Sequence, residues 1–176
     1  MNLSDIFSIV NRRLSNITRF NNTPRICKET VAEHSYFVAF CVMLLSDFLE
    51  NVNLEKALKL ALIHDVEEAI SGDLPHDVKM KYPSFNVALE EMNLSIAHEI
   101  FGDQIQYIDL WEETRDTKTI EAKLVKFADM FSVLMYCNNE INMGNSYMKD
   151  IYSRQLKLIN EFIKKNSEFT FAKRII

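Results

Sequence analysis

Glycine and proline are the residues that let a chain turn sharply, and here there are three of each in 176 residues. That scarcity argues against a turn-rich β sandwich and leaves no glycine-rich loop to cradle a phosphate. Phosphate chemistry in such a chain has to run through side chains and a metal. Apolar periodicity predicts helices at roughly 2–18, 33–50, 54–71, 84–101, 118–143 and 146–165. Asn53 and Ser84 are placed as N-caps, and Gly102 and Gly144 as the left-handed residues that end helices. With no comparable strand pattern, repeat or linker, the expectation is an all-α bundle of about six helices in one domain spanning 1–176.

Three of these helices carry polar residues where the periodicity calls for greasy ones. In the third, Leu54, Ala57, Leu58, Ala61 and Leu62 make an inward stripe that continues onto Asp65 and Glu68, with His64 adjacent. In the second, Phe37, Phe40, Cys41, Leu44, Leu45 and Phe48 form a stripe, and one turn back is His34. In the fifth, Asp129 interrupts the apolar face of Val125, Val133 and Tyr136. A bare carboxylate facing a core is costly unless compensated. One divalent cation held by His34, His64, Asp65 and Asp129 compensates all four. Imidazole and carboxylate donors suit Mn, Co, Fe, Ni, Zn or Mg, and four ligands leave positions open for reaction. Any one of these residues alone reads as a core histidine or a helix cap; their coincidence on three inward faces favours the metal.

The net charge of −5 and pI near 5.4 disfavour a nucleic-acid surface. No 18-residue apolar run is present, so no membrane-spanning helix is expected. The beginning of the sequence lacks a signal-peptide pattern. Cys27, Cys41 and Cys137 lack metal-type spacing and read as reduced thiols, which fits a cytoplasmic protein. Two irregular loops, 19–30 with Arg19, Arg25 and Lys28, and 71–79 with Asp73 and His76, each adjoin a ligand-bearing helix and so line one cleft. His98 falls off its helix stripe as a surface residue. Met80, Met92, Met130, Met135, Met143 and Met148 read as core filling. Ile151, Leu158, Ile159, Phe162 and Ile163 either close the core or pair with a second subunit.

The strings Glu29-Thr30-Val31-Ala32-Glu33-His34-Ser35, His64-Asp65-Val66-Glu67-Glu68-Ala69-Ile70-Ser71-Gly72-Asp73-Leu74-Pro75 and Lys126-Phe127-Ala128-Asp129 resemble HD-domain metal-dependent phosphohydrolases, in the YfbR-like 5′-deoxynucleotidase branch. The resemblance runs over about 19–129, the metal-binding core, with helices 118–165 closing it. It implies a helical enzyme with one divalent ion that removes phosphate from deoxynucleoside 5′-monophosphates, working as a homodimer. His34, His64, Asp65 and Asp129 match the metal ligands. Arg19 matches a phosphate-contacting arginine, Glu68 a catalytic carboxylate, and Asp73 a carboxylate beside the substrate and its attacking water. Phe20 stands where the best-known members carry a tryptophan that helps select deoxyribose, which leaves the choice between deoxyribose and ribose open.

From the residues alone, Glu68 shares a helix face with His64 and Asp65 and is placed either to move a proton or to hold His64 from behind. Arg19 offers a permanently charged fork for phosphate oxygens. Two other functions remain: an HD hydrolase of another phosphorylated small molecule, and a nucleotide or metal sensor that binds without turnover.

Overall fold

The computed structural model describes residues 3–75, 78 and 81–176, and it is helical throughout. His76 and Met80, for which contacts were expected, lie outside the described residues. Helix α1 (Leu3–Phe7) runs into a π-helical turn (Ser8–Arg13). After the 19–30 loop come α2 (Val31–Leu45), a 3₁₀ turn (Ser46–Phe48), α3 (Leu54–Ile63) and the short α4 (Glu68–Ser71). Then follow α5 (Pro83–Phe101), α6 (Ile105–Asp116), α7 (Ile120–Asn142), α8 (Met148–Lys165) and a closing 3₁₀ segment (Ser167–Arg174). The only pairing of extended backbone among the described residues is an antiparallel bridge between Thr18 and Thr30.

Helix starts follow local chemistry. Thr30 and Glu33 form a reciprocal capping box on α2. Asn53 accepts from the Lys56 N–H at 3.0 Å on α3, and Thr119 caps α7 through Ala122. Gly102 at φ 55° and Gly144 at φ 101° follow the ends of α5 and α7 as expected. Ser84 does not cap α5: Tyr82 holds that position and Pro83 is the first helical residue.

The all-α expectation holds, with eight α-helices among the described residues where about six were expected. Helix α6 was missed because its start carries no side-chain cap and its only buried residues are Ile108 and Trp111. The helix expected over 54–71 breaks at 64–67. There Val66, Glu68 and Ala69 donate to carbonyls three residues back rather than four, which tightens the chain into a turn.

Helix α7 is the axis of the core. Its Leu124, Val125, Phe127, Ala128 and Leu134 pack with Val38, Val42 and Leu45 of α2, Ala57, Leu60 and Ala61 of α3, Ile159 and Ile163 of α8, and Phe169. So the C-terminal stripe closes the core. A second cluster, Val66, Ile96, Ala97, Ile100, Phe101, Ile108 and Trp111, forms an outer layer of α5 and α6 over the 64–67 turn.

Two apolar stripes are corrected. On α2 the buried face is Val31, His34, Ser35, Val38, Val42 and Leu45, while Phe37, Phe40, Leu44 and Phe48 point outward. Val38, Val42 and Leu45 share their buried cluster with Ala57, Ala61 and Ala128. On α3, Leu54 and Leu62 are exposed and Ala57, Leu60 and Ala61 are inside, so the inward stripe reaches His64 as well as Asp65. Met92, Met135 and Met143 are exposed, whereas Met130 and Met148 are buried. His98 is exposed as expected. The window Val31–Phe48 is long and apolar enough by composition to cross a membrane; it is the core helix α2 with its 3₁₀ extension, and its inner half packs on α3 and α7.

Phe127 lies at the centre, fully buried and in ring contact with Phe131, Phe162 and Phe169. Phe127→Ala should cost about 3–5 kcal/mol of unfolding free energy, read as a lowered denaturant midpoint at unchanged slope.

Candidate active site

The four expected ligands come together. His34 of α2 and His64 at the end of α3 turn their Nε2 atoms to 3.3 Å from each other. Asp65 Oδ2 lies 3.2 Å from His64 Nε2 and 3.5 Å from His34 Nε2. Asp129 Oδ1, from α7, lies 3.3 Å from His34 Nε2. His34, His64 and Asp65 each offer a ligand atom within 4.8 Å of the others.

Hydrogen bonds behind the imidazoles orient both rings. His64 Nδ1 is 2.8 Å from the carbonyl of Ala61; a carbonyl only accepts, so Nδ1 carries the proton and Nε2 presents a lone pair. His34 Nδ1 sits 3.2 Å from the Ser132 hydroxyl, three residues beyond Asp129 on α7. A hydroxyl either donates or accepts, so this contact holds the His34 ring in place without choosing its tautomer. Two imidazole nitrogens and two carboxylate oxygens then converge in a buried space, a donor set suited to a cation. For metal–ligand bonds of about 2.1 Å, adjacent donors are about 3.0 Å apart at right angles and about 3.4 Å at the tetrahedral angle. The spacings among His34, His64 and Asp65 match, so these donors fit a divalent ion, and Asp129 Oδ1 lies beside them through its contact with His34.

Charge follows this geometry. Burial, with Arg19 next, pulls the His34 imidazole down to about 4, so it is neutral near pH 7. Burial works to raise both aspartates, but His64 and then His34 hold Asp65 well below the usual range, and Lys126 followed by His34 does so for Asp129. Lys126 Nζ takes the other oxygen of Asp129 at 3.0 Å, leaving Oδ1 for the centre.

Around this cluster stand the expected substrate residues. Glu68 is buried, and its Oε2 has no hydrogen-bond partner among the described residues. Burial and then the charges of Asp65, Asp73 and Glu67 push its carboxyl up to about 10. Arg19 lies within the field of Asp129, Asp65 and Asp73. Its backbone pairs with Glu29 across the Thr18–Thr30 bridge, and its Nη1 meets Glu29 Oε2 at 3.1 Å. The two loops meet as expected, since Asn21 Nδ2 donates to the Asp73 carbonyl at 3.0 Å.

Phe20 adopts a left-handed backbone, φ 53°, which costs a non-glycine residue on the order of 1–3 kcal/mol. Three contacts hold it there. Its ring stacks on Tyr136 at 4.7 Å, and its carbonyl accepts from Arg25 Nη1 at 2.7 Å and from the Thr23 N–H at 3.0 Å. The Tyr136 hydroxyl donates to the Cys27 carbonyl at 2.6 Å. Glu140, fully buried, accepts from the N–H groups of Ile26 and Cys27 and from Asn145. The loop bearing Arg19 and Phe20 is thus bolted to α7. Sequence reasoning missed Glu29, Ser132 and Glu140. Ser132 alone had a signal, its three-residue spacing from Asp129 on one helix face.

The sequence matches the family of 5′-deoxynucleotidase YfbR-like proteins over residues 6–176. The chain belongs to that family. A 5′-deoxynucleotidase of Vibrio vulnificus is 30% identical over 145 residues, covering 76% of this YfbR-like chain and 73% of that protein. A 5′-deoxynucleotidase of Schizosaccharomyces pombe is 31% identical over 150 residues, covering 76% and 73%. An HD-domain phosphohydrolase from Listeria innocua superposes with a TM-score of 0.84 at 27% identity, covering 99% of the YfbR-like chain and 88% of its own.

Titrating metal-free protein with Mn²⁺ or Zn²⁺ should raise its melting temperature, because an ion that binds only the folded state stabilises it. Asp65→Ala should abolish that shift; a variant that still responds like wild type would remove Asp65 from the ligand set.

Proposed function

We propose that this chain hydrolyses the phosphate ester of nucleoside 5′-monophosphates at a single divalent ion held by His34, His64, Asp65 and Asp129. Family membership makes it a metal-dependent nucleotide phosphohydrolase; the ion count and the residue roles are what the proposal adds. The observation that carries it is the meeting of two imidazole Nε2 atoms with two carboxylates, beside a buried Glu68 oxygen that has no hydrogen-bond partner among the described residues.

When bound, the ion supplies positive charge for a phosphate oxygen and lowers the pKa of a water. Arg19 is held from behind by Glu29 and turns its remaining donors to the phosphate, where a planar fork suits two oxygens. Glu68 carries the proton between the attacking water and the departing 5′ oxygen of the sugar; the P–O bond to that oxygen breaks as the bond to water forms. Asp73 orients the water and the substrate. Phe20, stacked on Tyr136, gives the sugar a flat apolar wall.

The outer face of α2 supports a homodimer. Tyr36, Phe37, Phe40, Met43, Leu44 and Phe48 are between 40% and 64% exposed, and no charged residue lies between Glu33 and Asp47. This face, larger and more aromatic than the buried one, amounts to several hundred Å² by order of magnitude, as much as a monomer ordinarily shows in its largest patch. A second copy covers it with the same uncharged surface about a two-fold axis. The free thiols of Cys27, Cys41 and Cys137 support a cytoplasmic location.

The reaction is tested by phosphate release from deoxy- and ribonucleoside 5′-monophosphates, using chelated protein resupplied with Mn²⁺, Co²⁺, Zn²⁺ or Mg²⁺. Metal-dependent release is expected, with the ratio of the two sugars reporting on Phe20. Tightly bound metal with no release would favour the sensor reading. Glu68→Gln should cut turnover by about 10²–10⁴ with metal retained, and Arg19→Ala should chiefly raise KM. Light scattering should give a dimer mass for wild type and a monomer mass for Phe40→Glu; a monomeric wild type would end the dimer proposal.

A further inference from the structure

The turn that bears His64 and Asp65 alternates in direction. His64, Asp65 and Glu68 belong to the ligand and substrate cluster, while Val66 and Glu67 engage the outer layer. Val66 packs with Ile96, Ile108 and Trp111. Glu67, between two residues of the site, is 3% exposed and has its whole carboxylate taken by α6. Trp111 Nε1 donates to Glu67 Oε2 at 2.8 Å, and Arg115 Nη2 pairs with Glu67 Oε1. The same Nη2 donates to the His64 carbonyl at 3.2 Å, a group left without a helical partner where α3 ends. The Arg115 guanidinium also lies over the Trp111 ring at 4.7 Å, so each residue holds the other in place.

We infer that Arg115 and Trp111, on a helix that supplies no ligand, are positioning residues that set the metal-binding turn by gripping it at the His64 carbonyl and at the Glu67 carboxylate. The inference rests on the metal assignment made above. Fixing the first carbonyl and the last side chain of the turn restrains the segment in which His64 Nε2 and Asp65 Oδ2 stand 3.2 Å apart. Burying an ion pair contributes little net stability by itself, and its geometry here serves the neighbouring ligands. A ligand turn whose supporting contacts are cut typically loses about 10–100-fold in metal affinity.

The test is calorimetric titration of metal-free protein with Mn²⁺, run alongside thermal unfolding of the metal-free forms. Trp111→Phe keeps the ring and its stacking on Arg115 while deleting the N–H. Arg115→Met removes both grips, and Arg115→Lys restores a charge for Glu67 without a planar fork. Metal affinity should fall by about 10-fold or more in Arg115→Met and by less in Trp111→Phe, with Arg115→Lys recovering part of the loss. At saturating metal, kcat should fall while KM for a nucleoside monophosphate stays within about two-fold. Variants that bind Mn²⁺ as tightly as wild type, yet melt earlier, would reduce the clamp to helix docking and overturn the inference. If Arg115→Met does not fold, Trp111→Phe decides alone. A wild type that takes up no ion would overturn the metal assignment itself, an outcome distinct from equal binding by all forms.

Discussion

Four electron-rich atoms from three helices, pressed together inside a helical core, are the constraint on which the rest of this structure turns. Two imidazole nitrogens stand 3.3 Å apart with two carboxylates against them, and in a medium of low dielectric such a concentration of donors calls for compensating positive charge. A divalent cation would supply it. The fold is arranged to keep the four atoms in place: α7 brings Asp129 and the Ser132 support for His34, α3 ends so that its own Ala61 carbonyl fixes His64, and α2 enters through a capping box four residues before His34.

The molecule has two layers with separate tasks. The inner layer of α2, α3, α7 and α8 is apolar and tightly packed, and the candidate ligands lie where α2, α3 and α7 meet. The outer layer of α5 and α6 carries none, but covers the back of the ligand turn through Val66 and Glu67. The 19–30 loop, which in most helical proteins would be free to vary, is tied to α7 by Glu140 and Tyr136. Arg19 and the strained Phe20 are therefore presented from a base tied to α7 on the side of the candidate site.

The cluster of candidate ligands was legible because each member interrupts an apolar period, and a polar interruption of a core face is conspicuous wherever it falls. The faces themselves were read less well. The stripe through Phe37, Phe40, Leu44 and Phe48 has the right spacing and the right residues for a core, yet points outward; hydrophobicity ranks phenylalanine over valine, but the face that packs in the core is the one of Val38, Val42 and Leu45. His34 was placed correctly by a stripe that is not the buried one, because a helix with apolar residues on both sides offers two periods and both pass near position 34. Helix α6 left little trace because few of its residues are buried and no side chain caps its start.

The all-α class, the helix cap at Asn53 and the four candidate metal-ligand positions were legible in the sequence alone. Each depends on contacts within a few residues or on a periodicity that one helix shows by itself. Only the tertiary structure decided which side of α2 faces the core, that the third helix breaks at 64–67, and that Glu67, Trp111 and Arg115 form one unit around that break. Those outcomes depend on the volumes of side chains on neighbouring helices and on hydrogen bonds between residues more than forty positions apart, and neither leaves a local mark in the chain.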